Sequence, residues 1–185
     1  MLEDIPKLDN RLYTKIANEE ITQRRRAGHP PEEPFVNHEG FYVLPARGRV
    51  TIVHPEDDHL VIKRDFNRDP ERLLGNFIEC LVYYYLYYRR AEHLEYVAPI
   101  IEHTDDFKNI TMQRATRVST TKPPYDLPSW MSDLRKENVG YIGNRQVCID
   151  YGDFRNLVNL GIGRYRSESE CFNKTVAEKL FGRKF

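Results

Sequence analysis

The stretch Ser129–Phe154 reads SWMSDLRKENVGYIGNRQVCIDYGDF and holds three polar residues that suit a metal ion. Asn138 follows Asp133 by five residues, and Asp150 follows Asn138 by twelve. Between them, VGYI and RQVCI flank a Gly-Asn pair, which predicts a two-residue hairpin turn. Such a hairpin would bring Asn138 and Asp150 together, where amide and carboxylate oxygens could face one Mg²⁺ ion. Taken alone, the stretch fits either chemistry on a phosphate or an ordinary turn-rich segment.

The composition favours a compact protein with its own hydrophobic core. The chain has 185 residues, 40% of them hydrophobic and 30% charged, which suits one domain or one two-lobed unit. Lysine plus arginine equals aspartate plus glutamate, at 28 each, so no global field favours nucleic acid or an anionic membrane as a partner. The run LVYYYLYY at 81–88 is too short to span a bilayer. Its tyrosines spread around a helix, which is typical of packing rather than of base stacking.

The cysteines and the N-terminus predict a reducing, cytoplasmic location. Cys80, Cys148 and Cys171 lie far apart and form no CxxC pair, so neither a zinc knuckle nor a disulfide framework is predicted. Each lies in apolar surroundings, which is typical of a buried, reduced thiol. The N-terminal residues MLEDIPKLDN contain no apolar signal core.

The residues before the opening stretch predict a helix, a linker and then a sheet. Apolar residues recur every four positions in 8–26, which predicts a helix, and HPPEEP at 29–34 predicts a stiff linker. From residue 40 onward, FYVLPARGRVTIV, HLVIK, YVAPIIEHT and KNITMQRA predict five strands. A long helix over about 70–90, with Asp69 as cap and Pro70 at its first position, separates the third strand from the fourth.

The remaining segments predict a loop and a short helix. Residues 116–128, TRVSTTKPPYDLP, contain three prolines and few apolar residues, which predicts a loop. Only 33 residues follow Gly152. Among them, Ser167 and Glu170 form a capping box that predicts a short amphipathic helix ending near Gly182.

In their order along the chain, these pieces resemble the protein-kinase-like fold from about residue 40 to 153. A strand–turn–strand unit with a glycine precedes the VIK strand, a helix with a glutamate and two more strands follow, and DLRKEN, a hairpin and DYG come last. The resemblance implies an α+β fold with an antiparallel five-stranded sheet, one long helix and a strongly reduced second lobe. It divides the chain into 1–34 (helix and linker), 35–118 (first lobe) and 119–185 (reduced second lobe).

The catalytic groups that the resemblance implies lie in the opening stretch. Asp133 and Asn138 have the D-x-x-x-x-N spacing of a kinase catalytic loop, and Asp150 begins a DYG triplet in the place of DFG. By resemblance, Asp133 would accept or orient the proton of an attacking hydroxyl, and Asn138 and Asp150 would bind Mg²⁺. Arg135 stands where many kinases place a lysine that contacts the γ-phosphate.

A lysine and a glutamate complete the implied phosphate clamp. Lys63 ends the VIK strand and would hold the α- and β-phosphates of ATP, as the strand lysine of kinases does. Glu79 comes sixteen residues later among apolar neighbours, where an unpaired carboxylate would be costly, so we expect it to pair with Lys63. Glu71 competes with Glu79 as the partner of Lys63, although the helix dipole at the first turn already accounts for an acid at that position.

The resemblance also implies residues around the nucleotide. Gly48 and Val50 would be the last glycine and the valine of the glycine-rich loop, whose two earlier glycine positions hold a valine and a proline here. Val50 and Ile62 would wall the adenine. Met112 would be the gatekeeper residue, and the backbone of Gln113–Ala115 would be the hinge.

The function implied by the resemblance is Mg-ATP-dependent phosphotransfer to a hydroxyl of a protein or another acceptor. The absent substrate lobe favours an alternative, a non-catalytic kinase-like module that binds and modulates a partner protein. Met131 and Ser132 stand where kinases have His-Arg, which implies no control by a phosphorylated activation loop. A small-molecule kinase of the aminoglycoside type would need a helical subdomain for which the chain lacks room.

The resemblance bears on assembly and source as well. A second copy of the chain could supply the missing substrate surface, so homo-oligomerisation stays open. Compact kinase-like chains look like products of small or mobile genomes, phage included. A phage source would place the protein in a host cytoplasm.

Overall fold

The computed structural model describes residues 35–36, 42–44, 49–54, 56–65, 75–117, 125–162 and 178. Several predictions fall on other parts of the chain: the helix over 8–26, the linker, the start of the long helix at Asp69 and Pro70, the role of Gly48, and the Ser167 capping box. They lie outside the described residues.

The larger sheet is antiparallel and has the strand order β1-β2-β3-β4-β6-β5. Its strands are β1 Phe35–Val36, β2 Tyr42–Leu44, β3 Arg49–Val53, β4 Leu60–Asp65, β5 Ile100–His103 and β6 Asn109–Gln113. Five of them, β2 to β6, are the predicted strands. β1 is an additional edge strand of two residues, which is too short to show the alternating pattern that predicts a strand.

The long helix lies between β4 and β5 in sequence, as predicted. This helix, α1, spans Gly75–Arg89. It buries Phe77, Leu81 and Leu86 against the sheet, whereas Tyr87 and Tyr88 are exposed. The Asp65 carboxylate at the end of β4 accepts a hydrogen bond from the Gly75 N–H at 2.7 Å, which fixes this end of the helix against the sheet.

The second sheet confirms the predicted hairpin and corrects one loop. It has the order β7-β8-β9, with β7 Thr116–Arg117, β8 Val139–Ile142 and β9 Arg145–Cys148. The prediction of a loop over 116–128 was wrong at its start, because Thr116 pairs with Tyr141 of β8. Gly140 allows this pairing, since a Cβ there would lie 2.8 Å from the Ala115 Cβ and 2.9 Å from the Thr116 carbonyl oxygen.

Three short helices complete the described fold. Two are 3₁₀ helices, Ala91–Tyr96 after α1 and Lys136–Asn138 before β8. The third, α2, spans Phe154–Asn159 and is capped by the Asp153 side chain, which accepts a hydrogen bond from the Arg155 N–H. The sequence did not predict α2. Its six residues are too few to show a helical repeat.

One hydrophobic core joins the two sheets. The Ala98 N–H donates to the Cys148 carbonyl at 2.9 Å, and the buried Tyr151 hydroxyl donates to the Ala98 carbonyl at 2.8 Å, so hydrogen bonds connect the same parts of the structure.

Cys80 and Cys148 are buried free thiols, as predicted, and burial raises the pKa of Cys148 to about 12. The described part of the chain is therefore an α+β structure in which the hairpin is docked onto the larger sheet. None of its described helices is long and apolar enough to cross a membrane.

Candidate functional site

Lys63 and Glu79 form the buried ion pair that the sequence predicts. The Lys63 Nζ lies 2.9 Å from Glu79 Oε1 and 3.2 Å from Oε2, and it also donates to the Ile149 carbonyl at 2.5 Å. The Lys63 residue is 7% exposed and Glu79 is fully buried. Because Ile149 directly precedes Asp150, the ion pair lies beside the DYG segment. Glu71, the competing partner, is outside the described residues.

Glu79 is surrounded by donors from three parts of the chain. Besides Lys63, it faces the Arg49 guanidinium, with 3.2 Å between Arg49 Nη1 and Glu79 Oε2. The Tyr151 N–H also donates to Glu79 Oε1 at 3.2 Å. Burial raises the pKa of Glu79, while the positive charges of Arg49 and Lys63 oppose that rise. Burying a carboxylate is costly unless opposite charges and hydrogen-bond donors surround it, as they do here.

Arg49 is a site residue that sequence reasoning missed. It begins β3, and the strand register puts it on the same sheet face as Lys63, since Thr51 pairs with Lys63 and Arg49 pairs with Asp65. Its Nη1 lies 3.2 Å from Asn76 Oδ1, and its Nη2 forms a short contact with Asp150 Oδ1. Because Arg49 lies two residues before Thr51, the two side chains share one face of β3. This places Arg49 beside Lys63 only when the register of β3 and β4 is known.

Asp150 is paired with a cation of the protein. Burial by itself would raise the pKa of Asp150, but Arg49 and Lys63 outweigh that effect and hold the pKa well below its ordinary value. The residues after it pass close to α1. A Cβ at Gly152 would lie 2.7 Å from the Gly75 carbonyl oxygen, so the third position of the DYG triplet has no room for a side chain.

The hairpin places Asn138 beside the Asp150 segment. Val139 pairs with Cys148, and the Ile149 N–H donates to the Asn138 carbonyl at 2.8 Å. The predicted convergence of the hairpin ends is therefore present in the backbone. It brings one amide side chain and one carboxylate into the same part of the structure.

Asp133 is held by the two residues that the sequence grouped with it. The Asn138 Nδ2 donates to the Asp133 carbonyl at 2.9 Å and to its Oδ2 at 3.2 Å. The exposed Arg135 side chain pairs with Asp133, with 2.6 Å between Nε and Oδ1. Asp133 has a φ of 54°, in the left-handed region, which aspartate tolerates better than most residues.

Asn156 of α2 links the loop that contains Ser132 and Asp133, here called the Asp133 loop, to the DYG segment, Asp150 to Gly152. Its Oδ1 accepts from the Ser132 N–H at 2.7 Å and from the Ser132 hydroxyl at 2.9 Å. Its Nδ2 donates to the Tyr151 carbonyl at 3.0 Å. The side chain is fully buried. Sequence reasoning missed Asn156 because α2 itself was not predicted.

The predicted nucleotide pocket is only partly brought together. Val50 pairs with Arg64 and Ile62 pairs with Ile52, so both predicted adenine contacts lie on the sheet face opposite Lys63. Met112 pairs with Val61 and lies on the Lys63 face, where it is buried.

The predicted hinge, Gln113–Ala115, begins at the last residue of β6. The Gln113 N–H donates to the Pro99 carbonyl at 2.9 Å. Ala115 packs against Gly140, at the start of the second sheet. The hinge segment thus connects the two sheets, although the structure sets the adenine-wall residues apart from Lys63.

The donor groups match the preferences of Mg²⁺, with one qualification. Asn138 and Asp150 supply hard oxygen ligands, but the Asp150 carboxylate already pairs with Arg49. No group of three or more histidine, cysteine, aspartate or glutamate side chains suited to a metal occurs among the described residues. A Mg²⁺ ion here would need further oxygen ligands, which water or a bound phosphate could supply.

Comparison with known proteins identifies no relative of this chain. No family model matches the chain, and neither a curated protein nor a solved structure shows significant similarity to it. The function of the chain is consequently inferred from the chemistry of the site.

Proposed function

We propose that this chain is a kinase-like phosphotransferase that moves a phosphoryl group from Mg-ATP to a hydroxyl of a protein or another acceptor. The observation that carries the proposal is the buried Lys63–Glu79 pair, whose ammonium also contacts the carbonyl directly before Asp150. Protein kinases require a strand lysine paired with a helix glutamate, together with the aspartate of DFG. A buried ion pair is otherwise a poor source of stability, which favours a role in binding.

The order of the elements supports the same function. Along the chain, β2 and β3 precede the strand that carries Lys63, and α1 with Glu79 precedes β5 and β6. The Asp133 loop, the β8–β9 hairpin and the DYG triplet come after them. This is the order in which the protein-kinase-like pattern places its phosphate lysine, its glutamate, its catalytic loop and its metal aspartate.

In this proposal each polar residue has one task. Asp133 orients the acceptor hydroxyl and accepts its proton, and Arg135 leaves Asp133 to contact the transferred phosphate. Lys63 binds the phosphates of ATP, and Glu79 holds Lys63 in position. Asn138 and Asp150 would hold Mg²⁺, which when bound neutralises charge on the phosphate oxygens.

The second candidate is a non-catalytic kinase-like module that binds and modulates a partner protein. The observation that favours it is the engagement of both acidic groups by arginines of the chain, Asp150 by Arg49 and Asp133 by Arg135. In such a module these pairs would persist, and the site would stabilise the fold instead of transferring phosphate.

Transfer of labelled phosphate from ATP to the protein or to added hydroxyl acceptors tests the proposal. We expect Asp133→Asn to lower the rate about 100-fold or more, since general-base catalysis contributes about 10²–10⁴. The matched control is Asp58→Asn, which changes a side chain that is 80% exposed and whose ion-pair partner among the described residues is the exposed His59. Nucleotide binding, followed as a rise in melting temperature with Mg-ATP, should survive in both variants.

Two outcomes would contradict transfer. One is an unchanged rate in Asp133→Asn, which would remove Asp133 from the chemistry. The other is wild-type protein that binds Mg-ATP but labels neither itself nor any acceptor, which would favour the second candidate.

A further inference from the structure

Arg49 lies in a slot that fits its guanidinium. A Cβ at Gly75 would lie 3.3 Å from Arg49 Nη1, so the missing side chain of this glycine leaves room for the group. Asn76 Oδ1 accepts a hydrogen bond from Nη1 at 3.2 Å, and Glu79 Oε2 forms an ion pair with the same nitrogen at 3.2 Å. The side chain of Arg49 is 12% exposed, which is low for an arginine.

The same guanidinium pairs with one oxygen of the carboxylate that would bind a metal. Arg49 Nη2 contacts Asp150 Oδ1, while the Asp150 side chain remains 43% exposed. Planar guanidinium groups can bridge two carboxylates through different nitrogens, as this one does between Glu79 and Asp150. The contact is thus fixed from the buried side while Asp150 is reachable from solvent.

The ion-paired side chains carry two charges of each sign, and a buried aspartate adds one more negative charge. Arg49 and Lys63 carry two positive charges, and Glu79 and Asp150 carry two negative charges. Asp65 is buried and pairs with Arg49 across β3 and β4, so its carboxylate adds a third negative charge. A divalent cation added to this set would change its net charge from one negative to one positive in a partly buried site. That excess would be costly unless a polyanion arrived with the metal.

We propose that Arg49 is an exchangeable counter-ion of Asp150 that excludes a divalent cation until a nucleoside polyphosphate binds, and that it then binds the phosphates. This inference rests on the proposed function, because it assigns a further ligand to the same phosphate site. With Mg²⁺ and a polyphosphate bound, Asp150 would hold the metal, and the Arg49 guanidinium would exchange this carboxylate for a phosphate, which suits its fork of donors. Arg49 therefore makes binding of the metal and binding of the polyphosphate interdependent.

The test measures two affinities in wild type and in Arg49→Met, which removes the charge and retains a long side chain. Mn²⁺ binding to the nucleotide-free protein is followed by electron paramagnetic resonance. Binding of the β,γ-imido analogue of ATP is followed calorimetrically at saturating Mn²⁺. We expect Arg49→Met to bind Mn²⁺ alone about tenfold more tightly than wild type and to bind the analogue about tenfold more weakly, within the usual range of coupling between sites.

The opposite signs of the two effects separate exchange from structural damage. A variant that is merely distorted would lose affinity for both ligands. Arg145→Met is the matched control, because Arg145 is exposed at the start of β9, and both of its affinities should equal those of wild type. Arg49→Lys retains the charge but cannot bridge both carboxylates. We therefore expect its Mn²⁺ affinity to lie between those of wild type and Arg49→Met. If Arg49→Met does not fold, Arg49→Lys takes its place in the test.

Mn²⁺ affinity that does not increase in the Arg49 variants would overturn the inference, as would analogue affinity that does not fall. Failure of the analogue to bind wild type at all would overturn the inference together with the proposed function. Tight analogue binding with the expected Arg49 effects, but without phosphate transfer, would support the inference and reject the transferase.

Discussion

At the scale of single residues, the site is organised around one buried carboxylate. Glu79 accepts hydrogen bonds from Lys63 of β4 and from the Tyr151 backbone of the DYG segment, and it forms an ion pair with Arg49 of β3. Replacing a buried ion pair by apolar groups is often neutral, but removing one partner leaves the others buried and uncompensated. We therefore expect Glu79 to contribute to the stability of the fold in addition to its proposed role in holding Lys63.

We expect Glu79→Gln to lower the free energy of unfolding by about 3–5 kcal/mol, because Lys63 and Arg49 keep their buried charges while losing their shared carboxylate. Urea denaturation measures the change. Glu92→Gln is the control, since the Glu92 side chain is 63% exposed and should cost less than about 0.5 kcal/mol. Equal effects of the two substitutions would show that the buried network adds nothing to stability.

At the scale of elements, short segments position the site. The β8–β9 hairpin brings Asn138 to Ile149, and α2 supplies Asn156, which binds both Ser132 and Tyr151. The 3₁₀ helix Ala91–Tyr96 leads into Ala98, to which the hairpin is hydrogen-bonded. Each connection includes at least one backbone group, and together they tie the Asp133 loop to the DYG triplet by hydrogen bonds.

Two asparagines of α2 offer a matched comparison. Asn156→Ala should lower the free energy of unfolding by about 2–4 kcal/mol, because it leaves part-buried groups of Ser132 and the buried Tyr151 carbonyl without their partner. Asn159→Ala loses one exposed hydrogen bond to the Trp130 carbonyl and should cost about 1 kcal/mol or less. Urea denaturation of both variants decides the point. Equal losses would mean that the link between the Asp133 loop and the DYG segment does not contribute more than an ordinary surface contact.

At the scale of the whole molecule, the candidate site lies where the two sheets meet. Lys63 reaches from the larger sheet to the Ile149 carbonyl, and the Cys148 carbonyl accepts from Ala98. The core that surrounds this junction includes Cys80 and Cys148, both fully buried. Their thiols therefore report on whether the two sheets separate.

We expect the stability of the protein to fall as the pH rises above about 9. The pKa of Cys148 is raised to about 12 in the folded protein, so between these values the unfolded chain loses a thiol proton that the folded chain retains. This effect amounts to at most about 1.4 kcal/mol per pH unit for one thiol. Urea denaturation of wild type and Cys148→Ala at several pH values should give a shallower decline for the variant. Parallel declines would contradict burial of the thiol at this junction.

The sequence by itself determined most of the described elements. Strand patterns predicted β2 to β6, and the Gly-Asn pair predicted the β8–β9 turn. The apolar setting of Glu79 predicted that it has a partner, which the kinase-like resemblance identified as Lys63. These signals are local, because alternation, turn chemistry and the cost of an unpaired carboxylate are all read from neighbouring residues. The α+β class follows from the same signals.

Only the tertiary structure decided which of the polar residues meet. The register of β3 and β4 puts Arg49 on the Lys63 face and puts Val50 and Ile62 on the other, and a shift of one residue would reverse that assignment. The same holds for Thr116 and Asn156, whose partners Tyr141 and Ser132 lie far away in sequence. Side-chain type and spacing determine what chemistry a residue can perform, but strand register and docking of the hairpin determine which charges it faces.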